Sequence, residues 1–566
     1  MPCPPLVPIS IIPPVSQGPS PILWQNGNQI TRLNTPLNPS WLVYDGNTTR
    51  WGDGSAQAPV YLPNLQQVTT SGVSFYVGLN PQGQLVSTPL ISATTTNNIS
   101  GGAAGEIVYQ IATNTTGFTQ AGINGQLLQS NGTSSPTWLS QGTSNQLLQS
   151  NGSGTSSTWI SPSNLSVTAT GSTTSRTLAN RFADVINVKD FGATGNGTTD
   201  DTSAIQAAIN SGSLIFFPSG TYLVSTINVG SNKKLQGSGN SSIISFSNAS
   251  SVGINISNAN FVDLSDLAFQ DGSSRTEDSV LVYNSSNVTF FKCNWLQQGN
   301  QYISLHIKSC NNVLIQDCTA FSSGIVGYAI LIDGSSYASN NITLDNFNSY
   351  GYYNGVQTRW VNNLRVANSY FTNAGATGFS ISPSSSRVIY GLTITENTNS
   401  VVFVNTNFVN NIGSGLEIVN NGNVKNVSIS NTSSISNNGS SSYNSSGFYV
   451  SNINASYISC SAQINNNYAS GVFLERGNNI SFTGCIISGN GLNNIGNGID
   501  IISGVTYVSF SNNTIACQTG SVTSGQNYGI NSTANIKILI VGNQFPGGTN
   551  WYNTPSGGSV TIANNQ

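Results

Sequence analysis

Charge is what this chain has least of. Of its 566 residues 6% are charged, 16 Lys and Arg against 19 Asp and Glu, for a net charge of −3. Neutralising a phosphate backbone takes clustered basic side chains, so nucleic acid is excluded as a partner. The same scarcity excludes docking on an anionic membrane surface. His306 is the one histidine and the seven cysteines form no CxxC pair, which excludes a zinc site. No acid cluster has the spacing of a Ca²⁺ loop, so neither metal nor cofactor is expected. Residues 1–21, MPCPPLVPISIIPPVSQGPSP, are apolar but broken by proline, with no basic residue. They match neither a secretory signal nor a membrane-inserting span; they read as an extended anchoring arm.

Asn, Ser, Thr and Gly stand in for charge; they hydrate well and can stack in ladders along parallel strands. Residues 22–100 carry Trp24, Trp41 and Trp51, the alternating runs VYLP and VSFYVGL, and the turn pairs Asn26-Gly27, Asp45-Gly46 and Asp53-Gly54. Those are the marks of a small β-rich domain. Residues 101–182 repeat. GEIVYQIATNTTGFTQ starts at Gly105, GQLLQSNGTSSPTWLS at Gly125 and NQLLQSNGSGTSSTWIS at Asn145, a step of 20 residues. Each unit has an apolar strand, a polar turn and an aromatic return strand. Two strands alone cannot bury an aromatic face, so intertwined copies of the chain, a homotrimeric stalk, are expected.

From 183 to 566 the pattern becomes a solenoid. First strands open on Asn pairs or similar, as in NNVLIQDC, NNITLDNF, NNLRVANSYF and NNISFTGC. Second strands open on glycine, at Gly355, Gly378, Gly415, Gly447, Gly471 and Gly498, spaced 23 to 37 residues apart. The expected fold is all-β, a right-handed parallel β-helix. Cys293 with Cys318, and Cys460 with Cys485, are expected at matching positions of neighbouring rungs as buried thiols.

The entry to this body is NVKDFGATGNGTTDDTSAIQAAI, Asn187 to Ile209, followed by LIFFPSGTYLVS. Asp200 and Asp201 stand where N-caps should, before a short helix whose Ile205, Ala208 and Ile209 form one apolar stripe that closes the end of the strand stack. This stretch resembles the entry motif of pectate-lyase-like β-helices as they occur in phage tailspikes and related polysaccharide-degrading proteins. The 20-residue units resemble the repeats of viral tail-fibre shafts. The resemblance implies a protein of the virion tail, made without a signal peptide. It would be held to the tail or an adaptor protein by its N-terminal region and would attach to a host surface polysaccharide. Whether it also depolymerises that polysaccharide stays open. A non-enzymatic adhesive fibre and a free polysaccharide lyase or glycoside hydrolase are the alternatives.

Chemistry can sit on the outward face of the second strands. Counting from each glycine, +1 and +3 face inward, +2 and +4 outward. Position +2 then carries Gln357, Ser380, Glu417, Tyr449, Phe473 and Asp500, and +4 carries Arg359, Ser382, Val419, Ser451, Glu475 and Ile502. Glu475 and Asp500, one coil and two residues apart, have Cα atoms about 8 Å apart, which suits paired-carboxylate glycoside hydrolysis. Glu417 is the third candidate acid. Tyr449 and Phe473 would bind sugar faces, with Arg359 and Trp360 completing the binding set; Arg359 lies at the height of Asp333. The simpler reading of the acids is a solvated surface. Arg476 is expected to point inward or into a turn. Trp295, Tyr352 and Tyr353 are expected as glycan platforms or trimer contacts.

Overall fold

The computed structural model describes residues 101–566 apart from the short segments 272–274, 298–302, 325–326, 335–336, 383–386, 390–391, 395–396, 441–444, 492–495, 503, 517–527, 534, 547–550 and 556. Before residue 101 it describes the backbone of six short strands, and within 387–394 backbone alone. The expected arm, 1–21, and Trp41 lie outside the described residues. The chain divides into two compact units, residues 1–141 with 152–156, and residues 142–151 with 157–566.

From Ile186 onward the second unit is a parallel solenoid of three ladders. Ladder A runs from Ile227–Asn228 through Tyr328–Asp333 and Leu416–Ile418 to Tyr552–Asn553. Ladder B runs beside it from Leu214–Phe216 through Ser339–Asp345 to Ser559–Ala563, and ladder C from Asn196–Asp200 through Thr319–Ser322 to Thr514–Ile515. This is the expected all-β parallel β-helix. Inward positions are Val, Ile, Leu and Phe, as in the row Val280, Leu305, Ile330, Val356, Phe379 and Leu416, all buried in register. Phe371, Phe379, Phe403 and Phe408 interlock mid-core, with Phe379 and Phe403 edge-on at 5.0 Å.

The abundance of Asn has two structural causes. Sharp corners between ladders need left-handed backbone, which Asn tolerates better than most residues. Asn284, Asn312, Asn346, Asn368, Asn405 and Asn512 take it, with φ between 48 and 55. Stacked amides then bond rung to rung. Asn411, Asn438, Asn467 and Asn490 form a buried column in which each Nδ2 donates to the next Oδ1 at 2.8, 3.0 and 2.8 Å. Each amide also donates to a strand carbonyl of the preceding coil, so the column is satisfied without water.

The helix Thr202–Ser211 caps the solenoid with Ile205, Ala208 and Ile209 buried, as the stripe predicts. Its caps divide differently from expectation. Asp201 occupies the N-cap but bonds the Gly-rich loop instead, accepting from Thr194 N at 2.7 Å and Gly195 N at 3.0 Å. Asp200 accepts from Thr202 N at 2.9 Å, and its bonds from Thr202 hold its carboxyl below the usual range. The cysteines need one correction. Cys293 and Cys318 do match, the backbone N of Cys293 lying 3.3 Å from Cys318 Sγ. Cys460 is instead paired with Phe482, and it meets Cys485 from a strand rather than a corner, Sγ to Sγ 4.0 Å.

The 20-residue repeats form hairpins: Val108–Ala112 with Thr115–Phe118, Leu127–Asn131 with Ser134–Leu139, and Leu147–Gln149 with Thr158–Ile160. Each opens on the same turn. Glu106, Gln126 and Gln146 bond the backbone N of Ala103, Ile123 and Thr143 at 2.8, 2.9 and 2.8 Å. Each return strand lays an aromatic ring on a glycine: Phe118 on Gly102, Trp138 on Gly122, Trp159 on Gly142, where a Cβ would come within 2.6 to 2.7 Å of the ring. That seat explains the regular tryptophans. In the N-terminal region the described backbone is a four-stranded antiparallel sheet, Trp24–Asn26, Gln29–Thr31, Leu42–Tyr44 and Thr49–Trp51, and a hairpin of Phe75–Leu79 with Leu85–Pro89.

Candidate functional site

The outward column of ladder A forms as the glycine register predicts. Gln357, Ser380, Glu417, Tyr449, Phe473 and Asp500 are Cα partners in succession, continued by Asn531. The +4 column does not continue in register. A shift after Val450 pairs Ser451 with Arg476 rather than Glu475. Two consecutive side chains therefore face solvent, Glu475 at 28% and Arg476 at 46% exposure, where strict alternation would bury one. The expectation that Arg476 points inward or into a turn fails for that reason, since it lies within the strand Val472–Thr483 and faces solvent. Its Nη2 lies 3.8 Å from Glu475 Oε1.

The three acids occupy different environments. Tyr449 Oη donates to Glu475 Oε2 at 2.5 Å. That bond, with help from Ser451 and the charge of Arg476, holds the Glu475 carboxyl below its ordinary range. Burial pushes Glu417 up, and the hydroxyls of Ser380 and Thr377 only partly oppose it. Asp500 is buried at 8% exposure and accepts from Ser470 Oγ, Asn497 Nδ2 at 2.6 Å and Asn531 Nδ2 at 2.7 Å. Three donors hold that carboxylate in place, which suits a positioning role better than proton transfer. Two Cα atoms two coils and two residues apart, as for Glu417 and Glu475, are separated by about 12 Å, with Tyr449 between them. Tyr449 and Phe473 meet at 5.8 Å with planes inclined by 50°.

Arg359 and Trp360 stand just past the strand Asn354–Thr358, on an earlier coil of the same ladder. Arg359 Nη1 lies 4.0 Å from Asp333 Oδ2 and its Nη2 donates to Gln357 Oε1 at 3.2 Å. Trp360 covers Gly334, where a Cβ would meet the indole at 2.8 Å. Trp295 and Tyr352 are fully packed in the core, so neither is a glycan platform or trimer contact, whereas Tyr353 is exposed. Trp295 packs on Phe269 and Phe290, and the Tyr352 hydroxyl bonds Ser304 at 2.9 Å.

Sequence reasoning missed a buried charge network at the start of ladder A. Arg275 Nε lies 3.2 Å from Asp271, its Nη atoms bond the carbonyls of Asn248 and Ser251, and His306 Nδ1 meets Asp278 at 2.8 Å. Burial raises the Asp271 carboxyl and lowers Arg275. The available signal was the dense run Arg275-Thr276-Glu277-Asp278 in a chain otherwise almost uncharged. No group of three or more His, Cys, Asp or Glu that could hold a metal occurs among the described residues.

Residues 185–402 match the family described as rhamnogalacturonase A/epimerase, pectate lyase-like. The preneck appendage protein of Bacillus phage PZA is 28% identical over 239 residues, which is 36% of this chain and 25% of that protein. Plasmin and fibronectin-binding protein A of Streptococcus pneumoniae is 32% identical over 190 residues, 30% of this chain and 25% of that protein. The chain thus spans about a quarter of the length of these curated relatives. Among solved structures, bacteriophage CBA120 tailspike protein 3 aligns with a TM-score of 0.49 at 15% identity, over 79% of this chain and 75% of that one.

Proposed function

With its body a pectate-lyase-like β-helix similar in sequence to phage appendage proteins, we propose that the chain attaches a phage tail to a host surface polysaccharide. The glycan would lie along the outward face of ladder A. The observation that carries this reading is the unbroken column Glu417, Tyr449, Phe473, Asp500, in which two partly exposed aromatic rings sit among acids on a rigid ladder. Aromatic faces pack against sugar C–H surfaces while carboxylates and amides take the hydroxyls.

Assembly as a homotrimer is part of the proposal. Leu127 and Leu128 alternate onto opposite faces of their hairpin, yet both are exposed, and Leu147 and Leu148 repeat the pattern one unit later. Hairpins with two bare apolar faces call for partners, and further copies of the same chain supply matching ones. The N-terminal region would then join the virion tail or an adaptor.

Cleavage is a second reading, favoured by one observation: Glu417 is pushed toward the neutral acid and Glu475 toward the carboxylate. Such a divergence is what an acid and its ionised partner require. The experiment is to incubate the purified protein with host surface polysaccharide, measuring bound polymer and released oligosaccharide separately. Binding supports attachment; release abolished by Glu475→Gln or Glu417→Gln supports cleavage. Absence of both refutes the proposal.

A further inference from the structure

The charge on the outward face of ladder A narrows the kind of glycan that fits there. From residue 388 to the end the sequence has three cations, Lys425, Arg476 and Lys537, and four acids, Glu396, Glu417, Glu475 and Asp500. Lys425 and Lys537 lie in ladder B, in the strands Asn423–Ile429 and Lys537–Val541. Glu417, Glu475 and Asp500 all stand on the outward face of ladder A. Among the described residues of these coils Arg476 is the one cation on that face. The undescribed segments beyond residue 387 contain neither Lys nor Arg, so they add none.

Phe473 sits at the centre of this charge. Tyr449 is its Cα partner on the preceding coil, Asp500 on the following one, and Glu475 stands two residues along its own strand. The Tyr449 and Phe473 rings meet at 5.8 Å, inclined by 50°. Asp500 is held by Ser470, Asn497 and Asn531, all neutral, so its bonds fix the carboxylate without cancelling a charge. Arg476 Nη2 lies 3.8 Å from Glu475 Oε1, beyond hydrogen-bond reach. Two carboxylates against one guanidinium leave the face negative. Aromatic rings set among carboxylates are the combination that receives a cation, which the ring quadrupole attracts and the carboxylate pairs.

We infer that the ladder A face selects an amino sugar, a pyranose carrying a free ammonium group. The ammonium enters between Glu475 and Asp500 beside Phe473, and the C–H surface of the sugar packs on the aromatic pair. A neutral sugar leaves the excess negative charge unmatched. A uronic acid brings a further carboxylate to it, and like charges across a contact exclude a partner. The inference rests on the reading that this face attaches the chain to a host polysaccharide, and names the sugar that it recognises.

The test is equilibrium binding of host surface polysaccharide, native and selectively N-acetylated with acetic anhydride, to the full-length protein and to Glu475→Gln. Glutamine keeps the shape of this partly exposed side chain, and a thermal melt verifies that the fold is intact. The unaltered protein should bind the N-acetylated polymer about tenfold more weakly than the native one. Glu475→Gln should weaken binding of the native polymer and change binding of the N-acetylated polymer little. Equal affinity of the unaltered protein for the two polymers overturns the inference while attachment stands. Acetylation-sensitive binding that Glu475→Gln leaves unchanged also overturns it, because the ammonium is then received elsewhere. No binding of either polymer by the unaltered protein refutes the attachment reading together with this one.

Discussion

Tyr449 donates its phenolic hydrogen to Glu475 across one coil, Oη to Oε2 2.5 Å. The bond joins the outward column to the shifted register of the next strand and keeps Glu475 ionised at lower pH than a free carboxylate. Tyr449→Phe removes the donor. The pKa of Glu475 then rises, and any pH-dependent binding or cleavage that needs its carboxylate loses its acid limb at a higher pH. A pH titration of the unaltered protein against Tyr449→Phe reads this directly; superimposable profiles would show that the bond does not tune the acid.

Glu417 gives a stability prediction of opposite sign. Its folded-state pKa is raised by burial, so ionising it costs stability as pH rises through that value. Glu417→Gln should therefore raise the melting temperature at pH 7 to 8 and have little effect near pH 4, where the native carboxyl is protonated. A gain equal at both pH values would contradict the burial argument.

These two environments mark the boundary of what the sequence discloses. The column Gln357 to Asp500 was legible because glycine fixes a strand's first position and alternation does the rest. The ionisation differences were not, since they depend on which hydroxyls lie opposite each acid. The register shift at Ser451 was equally hidden: an extra residue in a strand looks like a turn, and Arg476 was misplaced by it. Asp500 looked like a partner for Glu475, and only the positions of Ser470, Asn497 and Asn531 reveal how firmly it is held. The solenoid itself was legible because coil after coil repeats one pattern, the property by which a repeat architecture declares itself.

The buried Asn column makes a mutational prediction. Asn438→Ala leaves Asn411 and Asn467 each short of a partner and strands the Phe408 carbonyl. Each buried orphan costs about 1–3 kcal/mol, so denaturant unfolding should show a loss of several kcal/mol. Asn312→Ala, in an exposed column, should cost much less.

The aromatic seats of the 20-residue repeats should be as strict. Gly122→Val drives a side chain into Trp138, whose ring is 2.7 Å from a Cβ there. Overpacking of this kind costs about 1–3 kcal/mol, and a red-shifted tryptophan emission would report the displaced indole. Leu128→Ser with Leu148→Ser tests the proposed assembly instead: light scattering should show the proposed trimer falling to monomer.

The decisive measurement is the equilibrium binding of host surface polysaccharide to the intact protein and to a Tyr449→Ala, Phe473→Ala double variant of unchanged mass and melting temperature. A glycan held on the ladder A face requires at least tenfold weaker binding by the double variant, roughly 1.4 kcal/mol or more. Equal affinity would contradict that assignment and remove the ladder A face as the place where this protein holds a glycan.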